Sequence, residues 1–231
     1  MHLRRTVVGL AITFGAAAVV LGITAFGLSS KGPNNDRLDA TVVGTAQTAQ
    51  GPVKHATLKL ATYPDSMAGE HGTSGGAHPD WVSYGPSTNL HVPAHSLVTV
   101  TIDQYDGGEK ITNPWFAKVR GTVDGTMTVD GKTQTGTDPD AVGHTFTVHA
   151  APGNQDPLFV SVPLPAVADD APVATDTGYP TSPHVVVFSF VTGGPGEYVW
   201  NCEFPCGDGY YAKFGGPMAT QGYMSGTLTV S

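Results

Sequence analysis

Two cysteines, Cys202 and Cys206, lie four residues apart in "WNCEFPCGDGYYAKFGGPMATQGYMSGTLTV", and the chain has no others. Met218 and Met224 follow them, and an earlier stretch, "DAVGHTFTV", places His144 at the entry of an alternating run. A thiolate, an imidazole and a weakly bound thioether are the soft donors that suit copper, which cycles between Cu(I) and Cu(II) in trigonal or distorted tetrahedral surroundings. The same pair of cysteines also reads as a disulfide. An even pair with no third cysteine is what an oxidising compartment predicts, and a loop this tight closes if the Cα atoms lie within about 7 Å. Both readings, copper held by cysteine, His144 and a methionine or a Cys202–Cys206 disulfide, stay open on the residues alone.

Ligands like these need a rigid scaffold, and the composition points to strands. Charged residues make up 13% of the chain, while it holds 30 Gly and 18 Pro. β-Branched residues suit pleated strands and Gly/Pro punctuate them. The stretches 56–63, 88–92, 96–102, 115–123, 144–150, 158–164, 185–191, 197–201 and 226–231 are short apolar or alternating runs bounded by turn residues, and each is expected to be a strand. No stretch of ten residues beyond the first segment has a convincing helical period. Many short strands imply an all-β Greek-key sandwich or barrel. Residues 64–80 and 166–183 read as surface loops. On this layout Cys202, Cys206, Met218 and Met224 sit on one loop between neighbouring strands, and His144 on another strand.

Three stretches resemble the cupredoxin superfamily, and within it the periplasmic copper-binding domain of cytochrome c oxidase subunit II. "GHTFTV" resembles the strand bearing the family's first histidine ligand. "GEYVWNCEFPCG" resembles the lead-in to its cysteines, which in the oxidase subunit bridge a dinuclear copper centre. "MSGTLTV" resembles the ending that carries the axial methionine of single-copper members. The likeness covers roughly residues 141–231, and earlier strands only by general pattern. It implies a cupredoxin-like fold, copper as cofactor, and His144, Cys202, Cys206 and Met224 as ligands. The sequence departs from the pattern after the cysteines. The family's second histidine falls where this chain has Tyr210, the oxidase methionine where it has Lys213, and Glu203 directly follows the first cysteine. These departures argue against a normal dinuclear centre, while the resemblance as a whole implies an electron-transfer or accessory subunit more than a catalyst with its own active site. A Cu(I) carrier and a metal-free, disulfide-stapled accessory subunit are the alternatives.

The first segment differs in kind. Arg4 and Arg5 precede an uncharged run from Thr6 to Leu28, long enough for the roughly 20 residues that cross a bilayer. With the arginines on its cytoplasmic side, residues 1–28 are expected to be a signal anchor, 29–52 a flexible tether and 53–231 the β domain. The expected location is the cell membrane, single-pass, with the domain outside the cytoplasm. The chain carries 11 basic and 19 acidic residues, a net charge of −8. Such a surface argues against nucleic acid as a partner and leaves a redox protein or a respiratory oxidase subunit as the expected one. Phosphate-loop, Gly-x-Ser-x-Gly and His-Glu-x-x-His patterns are absent from the sequence. Of the remaining candidates, His149 should face away from His144, Met218 should fill a packing gap, and Met67, His71 and His78 should lie on a solvated loop. Trp200 should be core, beside Cys202.

Overall fold

Along "SLVTVTIDQ" every second side chain is buried, from Ser96 to Gln104, the period of two that a strand covered on one face requires. The computed structural model builds the chain from such runs. It describes residue 19 and residues 35–49, 51–64, 81–108, 111–151, 153–176, 178–206 and 216–231. The strands are β1 (Arg37–Asp39), β2 (Thr41–Thr48), β3 (Gly51–Tyr63), β4 (Ser83–Gly85), β5 (Asn89–Val92), β6 (Ser96–Gln104), β7 (Met127–Val129), β8 (Lys132–Gln134), β9 (Val142–Ala150), β10 (Phe159–Pro165), β11 (His184–Val191), β12 (Gly196–Asn201) and β13 (Ser225–Val230). The chain divides into two units, Met1–Lys31 and Gly32–Ser231. All the strands belong to the second.

Two sheets result. One runs β1-β5-β13-β12-β9-β10, the other β2-β3-β6-β11-β7-β8 with β4 added to β3. Val98, Val100, Ile102, Phe188 and Phe190 of the second sheet and Phe146, Val148, Val160, Trp200 and Leu228 of the first are buried in one apolar core. The all-β class expected from composition is therefore what the chain forms. Within the first sheet β12 runs antiparallel to both β13 and β9, with Asn201 opposite Ser225 and Thr147. The chain leaving β12 thus emerges beside the start of β9. That adjacency brings Cys202 to His144.

Several expectations are corrected. Residues 37–48 fall in the span read as a tether but form β1, parallel to β5, and β2, antiparallel to β3. Their alternation was invisible because β2 buries almost nothing, with Val42 and Val43 more than half exposed. Main-chain pairing holds it. The run 115–123 is no strand. Only Lys118 and Arg120 make isolated bridges, to Gly136 and Ser161. The Arg120 guanidinium folds back over the Trp115 ring at 3.6 Å and donates to the Trp115 carbonyl, which curls the segment. Strands β4, β7 and β8 were not anticipated. Among the described residues no helix is long and apolar enough to cross a membrane. The expected anchor, apart from Val19, and the loop bearing Met67, His71 and His78 lie outside the described residues.

Candidate metal centre

His144 is the third residue of β9, and Cys202 is the first residue beyond β12. Strand pairing therefore fixes their relation, and Cys206 returns to the same point after the turn through Phe204. One ligand atom from each of His144, Cys202 and Cys206 lies within 4.8 Å of the other two, and all three residues are buried. The cysteines are free. These three residues can hold a metal ion.

Each donor is oriented by neighbours. His144 Nε2 lies 2.7 Å from Asp106 Oδ2. A carboxylate only accepts, so Nε2 is the donor, and Nδ1 faces Cys202 Sγ at 3.8 Å. The backbone amide of Thr145 donates to the same sulfur at 3.4 Å, while the Cys202 thiol is placed to donate to the Phe204 carbonyl at 3.1 Å. Cys202 N–H donates to the Met224 carbonyl at 2.9 Å, anchoring the loop to the chain entering β13. The Thr145 hydroxyl accepts from the Glu203 amide, and the Thr145 carbonyl accepts from the buried Tyr84 hydroxyl. Around this polar knot Trp200 packs against Phe146 and Tyr84, with ring centroids 5.0 and 4.9 Å away, and Phe116 meets Phe204 edge-on. The aromatic shell keeps bulk water from the sulfur of Cys202.

The electrostatics follow from these contacts. Burial alone would lower the pKa of His144, but its hydrogen bonds to Asp106 and Cys202 outweigh it and raise the value from 6.5 to about 9. Burial would raise Cys202, yet hydrogen bonding from Cys206 and His144 holds its thiol well below the ordinary range. Cys206 is driven well up, first by its hydrogen bond to Cys202 and then by burial. Burial pushes the Asp106 carboxyl up, and His144 more than reverses it, leaving it below its usual value. Of the two sulfurs, Cys202 is therefore the one disposed to give up its proton, and Cys206 the one disposed to keep it. A soft cation held there by His144, Cys202 and Cys206 would have to displace the protons on those donor atoms.

Of the residues expected as ligands, His144, Cys202 and Cys206 lie together. Met224 is wholly buried and meets Cys202 through its backbone carbonyl. Met218, expected only to pack, places its sulfur 3.3 Å from the Cys206 amide nitrogen, as hydrogen-bond acceptor. His149 is half-exposed and bonds Asn201, away from His144. Tyr210 and Lys213 lie outside the described residues. Sequence reasoning missed Asp106 altogether. It follows β6 in "DQYDGGE", and nothing in that turn distinguishes it from a solvated aspartate.

No protein-family profile matches the sequence, nor does any curated protein. Among solved structures, auracyanin B superposes with a TM-score of 0.33 at 14% identity, over 83% of this chain and 97% of that one. The copper protein rusticyanin gives 0.35 at 14% identity, over 90% and 93%. A multicopper oxidase gives 0.28 at 10% identity, over 77% of this chain and 44% of its own. Similarity this distant does not decide the function, which rests on the residues of the centre themselves.

Proposed function

We propose that the domain binds copper through His144, Cys202 and Cys206 and serves in electron transfer. In this reading residues 1–28 anchor it in the cell membrane, and it works outside the cytoplasm beside a redox protein or an oxidase-type respiratory complex. The observation that carries the reading is the convergence of two buried sulfurs and one imidazole within 4.8 Å. That donor set fits copper: it is soft and desolvated, with His144 on β9 and the cysteines on the loop leaving the paired β12. The sequence likeness to cupredoxins and to the oxidase subunit points the same way. Copper, when bound, would supply one-electron exchange between its two valences.

The chain's own part is to keep the ligands in place and the site dry. Asp106 fixes which His144 nitrogen faces the sulfur. The Thr145 amide stabilises negative charge on Cys202, and Trp200, Tyr84 and Phe146 exclude solvent. The two-sulfur, one-imidazole set also suits Cu(I) without redox turnover, so a Cu(I) carrier is the second reading.

Loading the full chain with Cu(II) separates these. An intense visible thiolate-to-copper band supports electron transfer. A colourless protein retaining one Cu(I) supports the carrier. Mass spectrometry finding Cys202 bonded to Cys206 with no copper retained would overturn both and leave a metal-free, disulfide-stapled accessory subunit.

A further inference from the structure

Cys202 is fully enclosed, whereas Cys206 keeps 6% of its surface. That surface opens into a cavity of about 440 Å³, which His144 and Asp106 also line. Its walls come from the turn after β6, carrying Tyr105 to Gly108, and from the 166–180 insert. The insert is tied to the turn by the Val167 amide, which donates to the Asp106 carbonyl. The Tyr105 ring stacks on Tyr63 and meets Tyr179 of the insert edge-on, so strand end and insert are held together beside the opening. A purely outer-sphere centre needs no such space, and the volume is that of a small-molecule site.

The geometry points to a binding site for a small external ligand, reached through this cavity, that joins copper as an additional donor from the Cys206 side. The inference rests on the copper reading above. The lining selects the ligand class. Asp106 and Asp169 place two carboxylates on the cavity, which disfavours an anion. Tyr105, Val167, Ala171 and Val173 add an aromatic ring and apolar side chains to the lining. An uncharged nitrogen heterocycle of imidazole size satisfies both conditions, and a soft-to-borderline metal accepts its nitrogen.

Gly107 is the place to close the cavity. A Cβ there would meet only the Val167 carbonyl oxygen at 3.6 Å and Asp169 Oδ1 at 3.7 Å, ordinary contacts, whereas one at Gly108 would strike the Gly143 backbone. Gly107→Leu therefore adds bulk to the cavity wall from a Cβ that itself fits. Ala171→Leu, on the insert wall, does the same from the other side and carries the reading if Gly107→Leu does not fold.

The experiment is copper-edge X-ray absorption on the full chain loaded with one equivalent of copper, with and without imidazole, and with azide as the anionic control. Copper content is measured throughout. The expected result is an added nitrogen shell with imidazole, at least a tenfold weaker response to azide, and at least a tenfold loss of imidazole affinity in the filled variant, with copper retained in every case. Retained copper that gains no nitrogen overturns the inference and leaves the copper reading standing. So does an equal response in the filled variant, an equal response to azide, or imidazole that strips the metal. Protein that retains no copper at all overturns both.

Discussion

At the scale of single residues, a carboxylate 2.7 Å behind an imidazole sets both the orientation and the basicity of that ring. Asp106 is such a positioning residue, touching no ligand atom of the cluster except through His144. Asp106→Asn keeps the shape but removes the charge. Copper affinity, measured by competition with a chelator, should fall roughly 10- to 100-fold. The His144 pKa read by NMR in the metal-free protein should drop from about 9 towards its ordinary value; an unchanged pKa would show that Asp106 does not control the ring. The same shift dictates how copper binding depends on pH. A metal needs Nδ1 and the Cys206 sulfur unprotonated, yet the imidazole holds its proton up to about pH 9 and Cys206 holds its own above the ordinary thiol range. Each bound ion must displace these protons, so affinity rises with pH throughout the range below about 9. A chelator competition series from pH 6 to pH 9, chosen around that value, should show copper held progressively more tightly. A flat profile would mean that neither proton leaves on binding.

At the scale of elements, the centre depends on how closely the start of β9 approaches the turn after β6. A Cβ on Gly143 would fall on the Gly107 carbonyl oxygen and would crowd Gln104 Nε2 at 2.9 Å and the Ala166 Cα at 3.0 Å. Only glycine lets β9 pass there and put His144 within reach of Asp106. Gly143→Ala should therefore cost about 1–3 kcal/mol in denaturant unfolding, the usual range for overpacking. It should also loosen the Asp106–His144 contact, seen as a lowered His144 pKa; wild-type stability together with a wild-type pKa would refute the argument. Such backbone approaches are not legible in a sequence. What was legible is the period of two: β6, β11, β12 and β13 fall within a residue or two of the expected runs because each buries alternate side chains in the core, whereas β9, buried without a break from Val142 to Val148, was legible from its β-branched and aromatic residues. β1 and β2 were not, because edge pairing leaves no such trace. The β7–β8 hairpin did carry a signal, the Asp130–Gly131 pair, with φ of 49° and 78°, which is the turn chemistry of a tight hairpin. For the centre, cysteine and histidine announce themselves by type, while Asp106 acquires its role only through the fold.

At the scale of the whole molecule, the proposed function makes claims on the chain's charge and on its first segment. Without Arg4 and Arg5 the chain has nine basic against nineteen acidic residues, a net of −10. If the partner is a basic electron carrier, as the proposed function allows, its association should be steered electrostatically. Its rate, by stopped-flow, should fall at least about tenfold between low and physiological ionic strength; a salt-independent rate would exclude a charge-matched encounter. The first segment makes a separate claim. Thr6 to Leu28 carries no charged side chain, and a helix of that length, at about 1.5 Å per residue, spans the roughly 30 Å hydrocarbon core. The apolar core of a cleaved signal is shorter, about 7–15 residues. If the segment is an uncleaved anchor, the expressed chain keeps its full 23.9 kDa and sediments with membranes. It then resists high salt and alkaline carbonate, which strip proteins held by charge alone, and is released by detergent. A chain beginning after residue 28 should stay in the supernatant under the same conditions. A mature protein found by intact mass to lack this segment, and soluble without detergent, would make the segment an export signal and release the copper domain as a diffusible carrier.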